Sequence, residues 1–275
     1  MIRIESLHIY PIKSLGGIDL QEAKVTDRGL AYDRRWVLVD ANNRFVSQRE
    51  YARMALLQPR LDNGQMTITD RSGELVPLQF DLNEPKTTAE AITVWDDTVP
   101  AKPVSNAADD WFTTIMQMPV RLMYMHEDSI RQADQRYAIT EQDKVSFADG
   151  YPILIISQAS MDRLNSKLDH ALSVNRFRAN IIVSGIEAHE EDTWREIKTI
   201  QQTLFGVKPC ARCVMTTIDP QTGEAGKEPL KTLANYRKIG NKILFGENFI
   251  PKEEGMLKVG DEIEVVERKE APISE

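Results

Sequence analysis

Trp36-Val37-Leu38-Val39-Asp40-Ala41-Asn42-Asn43-Arg44-Phe45-Val46-Ser47 reads as a strand, a turn and a returning strand. The first four residues are apolar and rich in types that suit a pleated surface. Asp40, Asn42 and Asn43 have short polar side chains of the kind that bond to their own backbone and end a strand. The pattern repeats downstream. Leu57 opens a second run, Asp62-Asn63-Gly64 breaks it, Gln65-Met66-Thr67-Ile68-Thr69 returns, and Asp70-Arg71-Ser72-Gly73 turns again. Hairpins at this spacing predict an antiparallel sheet or small barrel over roughly the first hundred residues.

Helical signals begin only after that. Ser105 or Asn106 starts a segment with Asp109 and Asp110 in its first turn, where the helix dipole favours acids. Trp111, Phe112, Ile115 and Met116 then share one face, and Pro119 stops it. A second helix is predicted from Ser157 to Leu168, with Met161, Leu164 and Leu168 at helical spacing. A third opens at Pro229, the favoured first helical position, and carries Leu230, Leu233 and Ala234. Ile153–Ile156, Asn180–Ser184 and Glu262–Val266 read as strands between and after these. The expected organisation is a β-rich unit over residues 1–100, a mixed unit over 101–267, and a charged tail, 268–275, that contains Pro272 and is expected to fray or begin a linker.

Composition narrows the function classes. The 275 residues carry 42 acidic against 34 basic side chains, a net charge of −8, which disfavours general nucleic-acid or anionic-membrane binding. No apolar stretch reaches the roughly 18 residues needed to span a bilayer. The opening Met1-Ile-Arg-Ile-Glu5 lacks a signal-peptide apolar block, and only two cysteines in a chain this long suit a reducing compartment. A cytoplasmic location is the expectation.

Both cysteines fall within Lys208-Pro-Cys210-Ala-Arg212-Cys213-Val-Met-Thr-Thr-Ile-Asp219. A structural zinc site needs a second ligand pair, and His8, His126, His170 and His189 are scattered singly. A thioredoxin-like dithiol sits at a helix N-terminus, whereas Val214 to Ile218 reads as a strand. Two cysteines acting as small apolar residues would leave Arg212, which lowers the pKa of a neighbouring thiol, without a role. A fourth reading is one thiolate acting as a soft ligand to a transition metal delivered within a larger anionic cofactor.

Cationic side chains recur where turns meet strand ends. Lys13-Ser14 precedes Gly16-Gly17, Arg34-Arg35 opens a strand, Arg49 follows the next, and Arg176-Phe-Arg178-Ala-Asn180 leads into Ile181. Singly each suits a solvated surface. Together they suit an anion, with ammonium and guanidinium groups, Ser14 and backbone N–H groups near Gly16 as donors. The helix start at Ser157 is a further candidate for negative charge. No Gly-x-Gly-x-x-Gly, Walker loop, serine elbow or His-Glu-x-x-His is present, so nucleotide and zinc-hydrolase sites are not expected. His8, in a strand-like run, reads as structural.

Seven stretches carry a family resemblance: Ile9-Tyr-Pro-Ile-Lys-Ser14, Arg28-Gly-Leu-Ala-Tyr-Asp-Arg34, Ser146-Phe-Ala-Asp-Gly-Tyr-Pro152, Phe177-Arg-Ala-Asn-Ile181, Pro209-Cys-Ala-Arg-Cys213 with the Thr-Thr-Ile-Asp-Pro that follows, Phe245-Gly-Glu-Asn-Phe249, and Val259-Gly-Asp261. In this order, over essentially the whole length, the chain resembles the MOSC-domain proteins (molybdenum cofactor sulfurase C-terminal domain), in the branch with an N-terminal β-barrel partner. Within that branch it is similar to the mitochondrial amidoxime-reducing components and their bacterial homologues.

The resemblance implies an α+β, β-rich fold: an N-terminal β-barrel-like domain and a MOSC β-barrel domain with a few peripheral helices. It implies a molybdenum cofactor (Mo-molybdopterin) in a cleft, with Cys213 as the protein's metal ligand. Lys13, Ser14, Arg34 and Arg178 match residues that grip the pterin phosphate and ring. Asn180, Arg212, Arg49 and Asn248 are expected to line the same cleft. Asp149 is assigned to proton delivery, and Cys210 to a buried supporting role. A pyridoxal-phosphate-binding description also travels with the family. The implied reaction is two-electron reduction of N–O bonds in amidoximes, hydroxylamines and N-hydroxylated bases.

Many bacterial relatives continue into a ferredoxin-like domain with four cluster-binding cysteines. No such ligand set occurs here, so electrons are expected from a separate donor, a ferredoxin-like protein or flavoprotein reductase. The family's organelle-targeting segment has no counterpart in the sequence, which fits the cytoplasmic expectation. The alternative is a non-catalytic carrier that stores or hands over the cofactor or its sulfur.

Overall fold

The computed structural model describes residues 1–273. The fold is β-rich, with three α-helices among the described residues: α1 (Asn106–Met116), α2 (Gln158–Asn165) and α3 (Leu230–Leu233). The strands form one nine-stranded sheet and three smaller ones, and their hydrogen-bonded paths are open rather than closed into barrels. No helix among the described residues is long and apolar enough to cross a membrane.

The run Trp36–Val39 lacks hydrophobic alternation because both its faces are buried. Trp36 and Leu38 point into a core with Ile12, Met54, Leu57 and Ile68. Val37 and Val39 point into another with Val94, Val99 and Phe147. The strand Trp36–Asp40 pairs antiparallel with Val120–Tyr124, which continues through Asp97–Pro103 to Glu90–Val94. Asn43 adopts a positive φ of 59°, as the turn requires. The expected return over Arg44–Ser47 is not a ladder strand, since Arg44 and Phe45 make only isolated bridges, to Thr93 and Val39. The second hairpin is as expected: Leu57–Asp62 pairs with Gln65–Asp70 about Asn63-Gly64.

Elements on either side of residue 100 pack together in both directions. The strand Asp97–Pro103 runs through residue 100, and α1 packs Phe112, Ile115 and Met116 into the core that holds Trp36. In the other direction, Arg3–Ile9 pairs antiparallel with Ile181–Ser184 and so joins the nine-stranded sheet of the second unit. There the strand Ile153–Ser157 lies parallel to Ile181–Ser184 and antiparallel to Lys242–Pro251. Its side chains alternate between two cores, Ile153 and Ile155 in one and Leu154 and Ile156 in the other.

Three further expectations need correction. Val214–Thr217 is a single 3-10 turn, not a strand. The hydroxyls of Thr216 and Thr217 donate back to the carbonyls of Cys213 and Val214, and this local bonding overrides β propensity. The second helix ends at Asn165 rather than Leu168. The tail starts later than residue 268. The last strand is Glu264–Arg268, and Lys269 is held by Thr193 O and the buried Glu247 carboxylate. Residues 274 and 275 of the expected tail lie outside the described residues.

Candidate functional site

Pairing of Arg3–Ile9 with Ile181–Ser184 brings Lys13-Ser14 against Arg178-Ala-Asn180 across about 165 positions of sequence, the separation of Lys13 from Arg178. A cleft opens between these segments, the 148–151 loop and the cysteine turn. Among the described residues, Lys13, Arg34, Arg49, Arg176, Arg178 and Arg212 line it against a single carboxylate, Asp149, in a protein whose net charge is −8. Ser14, Asn180, Cys210, Cys213 and Asn248 also face it. Three of the residues take positive φ, Ser14 at 72°, Arg34 at 50° and Arg178 at 56°, a conformation that costs a non-glycine residue about 1–3 kcal/mol. Such strain persists only where the surroundings enforce it.

The enforcing contacts are visible. Arg34 Nη1 donates to the buried Asp33 carboxylate at 2.6 Å and to Asn180 Oδ1 at 3.3 Å, while its Nη2 donates to Arg178 O at 3.0 Å. Both Arg34 and Arg178 pack against the Tyr10 ring, at 4.5 and 4.3 Å from its centroid. Burial pushes the Tyr10 phenol up to about 12, though both arginines oppose the rise. Burial and then the Arg34 charge lower Arg178 to about 10, which leaves it cationic at neutral pH. Gly17 matters to this arrangement, because a Cβ there would sit 2.6 Å from the Tyr10 ring.

A second group surrounds Asp149. Its Oδ1 accepts from Lys13 Nζ at 2.7 Å and from the Trp95 indole N–H at 3.2 Å, and its Oδ2 accepts from Arg49 Nη2 at 2.9 Å. Burial raises the Asp149 pKa, but Lys13 and Arg49 together outweigh it and hold the carboxyl far below the ordinary range. In this geometry Asp149 anchors two cations. Lys13 also donates to Phe147 O, and burial lowers its ammonium to about 8 despite Asp149. It is cationic below that pH and loses its charge as pH rises through it. The affinity of the cofactor-free protein for inorganic phosphate is therefore expected to fall through about pH 8. Titration calorimetry should show that fall flattened in Lys13→Met.

The two thiols have different neighbours. Arg49 Nε donates to Cys213 Sγ at 3.3 Å, whereas Arg212 Nη1 donates to Cys210 Sγ at 2.9 Å. The guanidinium that meets Cys213 thus comes from the N-terminal half, and Arg212 meets the other sulfur. Cys210 packs partly into the core with Phe177 and Phe245, and both thiols are free. Among the described residues, no cluster of three His, Cys, Asp or Glu offers a zinc set.

Asn180 bonds His8 O, Leu154 N and Arg34, so it is a wall of the cleft with its polar atoms already engaged. Asn248 Nδ2 donates to Lys208 O. Ser157 is not in the cleft. It is fully buried as the N-cap of α2, bonded to Ser160, and its N–H already donates to Glu191 Oε1. Sequence reasoning missed Tyr10, Asp33, Trp95 and Arg131. Arg131 clamps the loop through Ser146 O, Ala148 O and Asp149 O and is tied to Asp97. Only the stretches holding Tyr10 and Asp33 were marked beforehand, and nothing local singled out Trp95 or Arg131.

Ser14 Oγ, Arg49 Nη1, Arg178 Nη2 and Arg212 Nε are buried and have no hydrogen-bond partner among the described residues. Leaving such a group unpaired costs about 1–3 kcal/mol, and four in one cationic cleft match an acceptor-rich anion. The donor set and the adjacent thiol fit a phosphorylated pterin whose metal takes a soft ligand.

Residues 1–119 match the MOSC N-terminal beta barrel domain, and residues 142–264 match the MOSC domain. The chain is 30% identical over 277 residues to mitochondrial amidoxime-reducing component 1 of Homo sapiens, covering 94% of this chain and 82% of that protein. It is 30% identical over 285 residues to the component 1 protein of Xenopus laevis (97% and 82% covered) and 28% identical over 277 residues to component 2 of Homo sapiens (94% and 82%). The chain belongs to the MOSC-domain proteins with an N-terminal MOSC beta barrel domain, the family of the amidoxime-reducing components.

Proposed function

We propose that the protein is a molybdenum-cofactor-dependent reductase of N-hydroxylated compounds that draws electrons from a separate donor protein. The observation that carries this reading is the convergence of the Cys213 thiol, beside that of Cys210, with six cationic side chains and four unpaired buried donor atoms in one cleft. Relatives named for amidoxime reduction align over nearly the whole chain, which supports the substrate class.

In this reading Cys213 is the metal's protein ligand. Lys13, Ser14, Arg34 and Arg178 hold the phosphate end, and Arg49 and Arg212 turn their free N–H groups toward the bound anion. When bound, the cofactor supplies the two-electron chemistry that removes oxygen from nitrogen; the protein supplies position and charge. Converting R–NHOH to R–NH₂ and water consumes two electrons and two protons. Asp149 keeps Lys13 and Arg49 in place, and the Arg49 Nε–H donates to Cys213 Sγ.

The test is molybdenum and pterin analysis of protein expressed in a cofactor-competent host, followed by benzamidoxime turnover with a chemical electron donor. Stoichiometric cofactor with turnover is expected. Cofactor without turnover would replace the reductase with a carrier, and absence of both molybdenum and pterin would refute both readings.

A further inference from the structure

Trp95 sits at the first position of the two-residue turn between Glu90–Val94 and Asp97–Pro103, with φ at 57°. Glycine is the residue favoured where such a hairpin needs a positive φ, and a bulky aromatic there is a conformational outlier. The outlier has a clear effect on its surroundings. The indole ring, 42% exposed, lies 4.6 Å from the Arg49 guanidinium carbon and 4.8 Å from the Phe45 ring. Its N–H donates to Asp149 Oδ1, while Asp149 Oδ2 accepts from Arg49 Nη2 and Arg49 Nε donates to Cys213 Sγ. Ring, carboxylate and sulfur thus hold three sides of a single guanidinium.

We infer that Trp95 is a positioning residue: its ring face fixes the Arg49 guanidinium so that the Nε–H stays on Cys213 Sγ. A cation over an aromatic face is held electrostatically by the ring quadrupole, and the attraction grows as water is excluded. The strained backbone at Trp95 is retained because no cheaper turn residue offers that face. The hairpin does not depend on Trp95 alone, since the neighbouring Asp97 is tied to Arg131, which grips the 146–149 loop independently. The consequence for turnover rests on the reductase reading above; the placement of Arg49 does not.

The deciding experiment compares Trp95→Gly with Trp95→Phe. In cofactor-free protein, the Arg49 Nε–H cross-peak, assigned by its loss in Arg49→Lys, should be sharp in the wild type and in Trp95→Phe and should broaden away in Trp95→Gly. In loaded enzyme, kcat should fall about tenfold in Trp95→Gly, with KM within about twofold, as for other groups that orient a metal ligand. Trp95→Phe should keep most of the rate. Should Trp95→Gly fail to fold, Trp95→Leu, which keeps apolar packing on Phe45 without a π face, carries the same comparison. A cross-peak unchanged in Trp95→Gly, or lost equally in Trp95→Phe, overturns the assignment. An expected cross-peak pattern with no turnover in any loaded protein would refute the reductase reading and leave Trp95's role standing.

Discussion

Cys213→Ser is expected to abolish reduction of N-hydroxylated substrates in a protein that still folds, while Cys210→Ser retains most of the rate. Removing a group that merely supports a metal ligand typically costs about 10–100-fold, so losing the ligand itself should exceed about 100-fold. Folding should survive because Cys213 is only partly buried, at the start of a one-turn 3-10 helix whose Thr216 and Thr217 hydroxyls bond carbonyl oxygens, not the sulfur. Cys210 lies on the core side and accepts from Arg212, so its replacement by serine leaves an acceptor in place. Turnover and molybdenum content measured together make the comparison decisive. Equal losses from both substitutions would point to a dithiol couple, and full activity in Cys213→Ser would remove the thiol from the chemistry.

Asp33→Ala is expected to produce the largest loss of stability among the substitutions around the cleft, about 3–5 kcal/mol. Asp33 is buried, its Oδ2 pairs with Arg34, and its Oδ1 accepts the Tyr10 backbone N–H at 2.7 Å. Removing the carboxylate leaves a nearly buried guanidinium without its counter-charge and a backbone donor without an acceptor. It also frees Arg34, whose other bonds run to Asn180 and Arg178 O, so anion affinity should fall with stability. Asp33→Asn keeps an acceptor for Tyr10 and should lie between the two. Urea unfolding of the cofactor-free proteins measures the change, and a shift under about 0.5 kcal/mol, the range of ordinary surface substitutions, would show that Arg34 does not depend on this pair.

Local order was readable where local physics decides it. A start of α1 at Ser105 or Asn106 follows from composition and spacing, as does the hairpin about Asn63-Gly64, and the structure makes Ser105 the cap, its hydroxyl accepting from Ala108 N. The apolar runs Trp36–Val39 and Ile153–Ile156 were legible as strands. What they did not reveal was that each feeds two cores, because a run buried on both faces carries no alternation. Val214–Thr217 shows the converse: residues of high β propensity coil into a turn once their own hydroxyls compete for the backbone.

For the site, residue chemistry and family resemblance selected Lys13, Ser14, Arg34, Arg49, Arg178, Arg212 and Cys213, and the structure brings all seven into one cleft. They did not show which guanidinium meets which sulfur. Arg212 is one residue from Cys213 in sequence yet bonds Cys210, while Arg49, distant in sequence, bonds Cys213. Nor did they show that Asp149 is held ionised, or that Trp95 and Arg131 brace the loop that carries it.

Sequence alone determined which types of side chain were available and which short segments would turn, cap or extend, since those outcomes depend on backbone preferences over a few residues. Only tertiary structure decided which charges face one another and which are stripped of water. Both follow from the pairing of Arg3–Ile9 with Ile181–Ser184 and from the approach of the Trp95 hairpin to the 146–149 loop. Electrostatic energies depend on distance and burial rather than on order along the chain, so the roles of these residues are set by the fold.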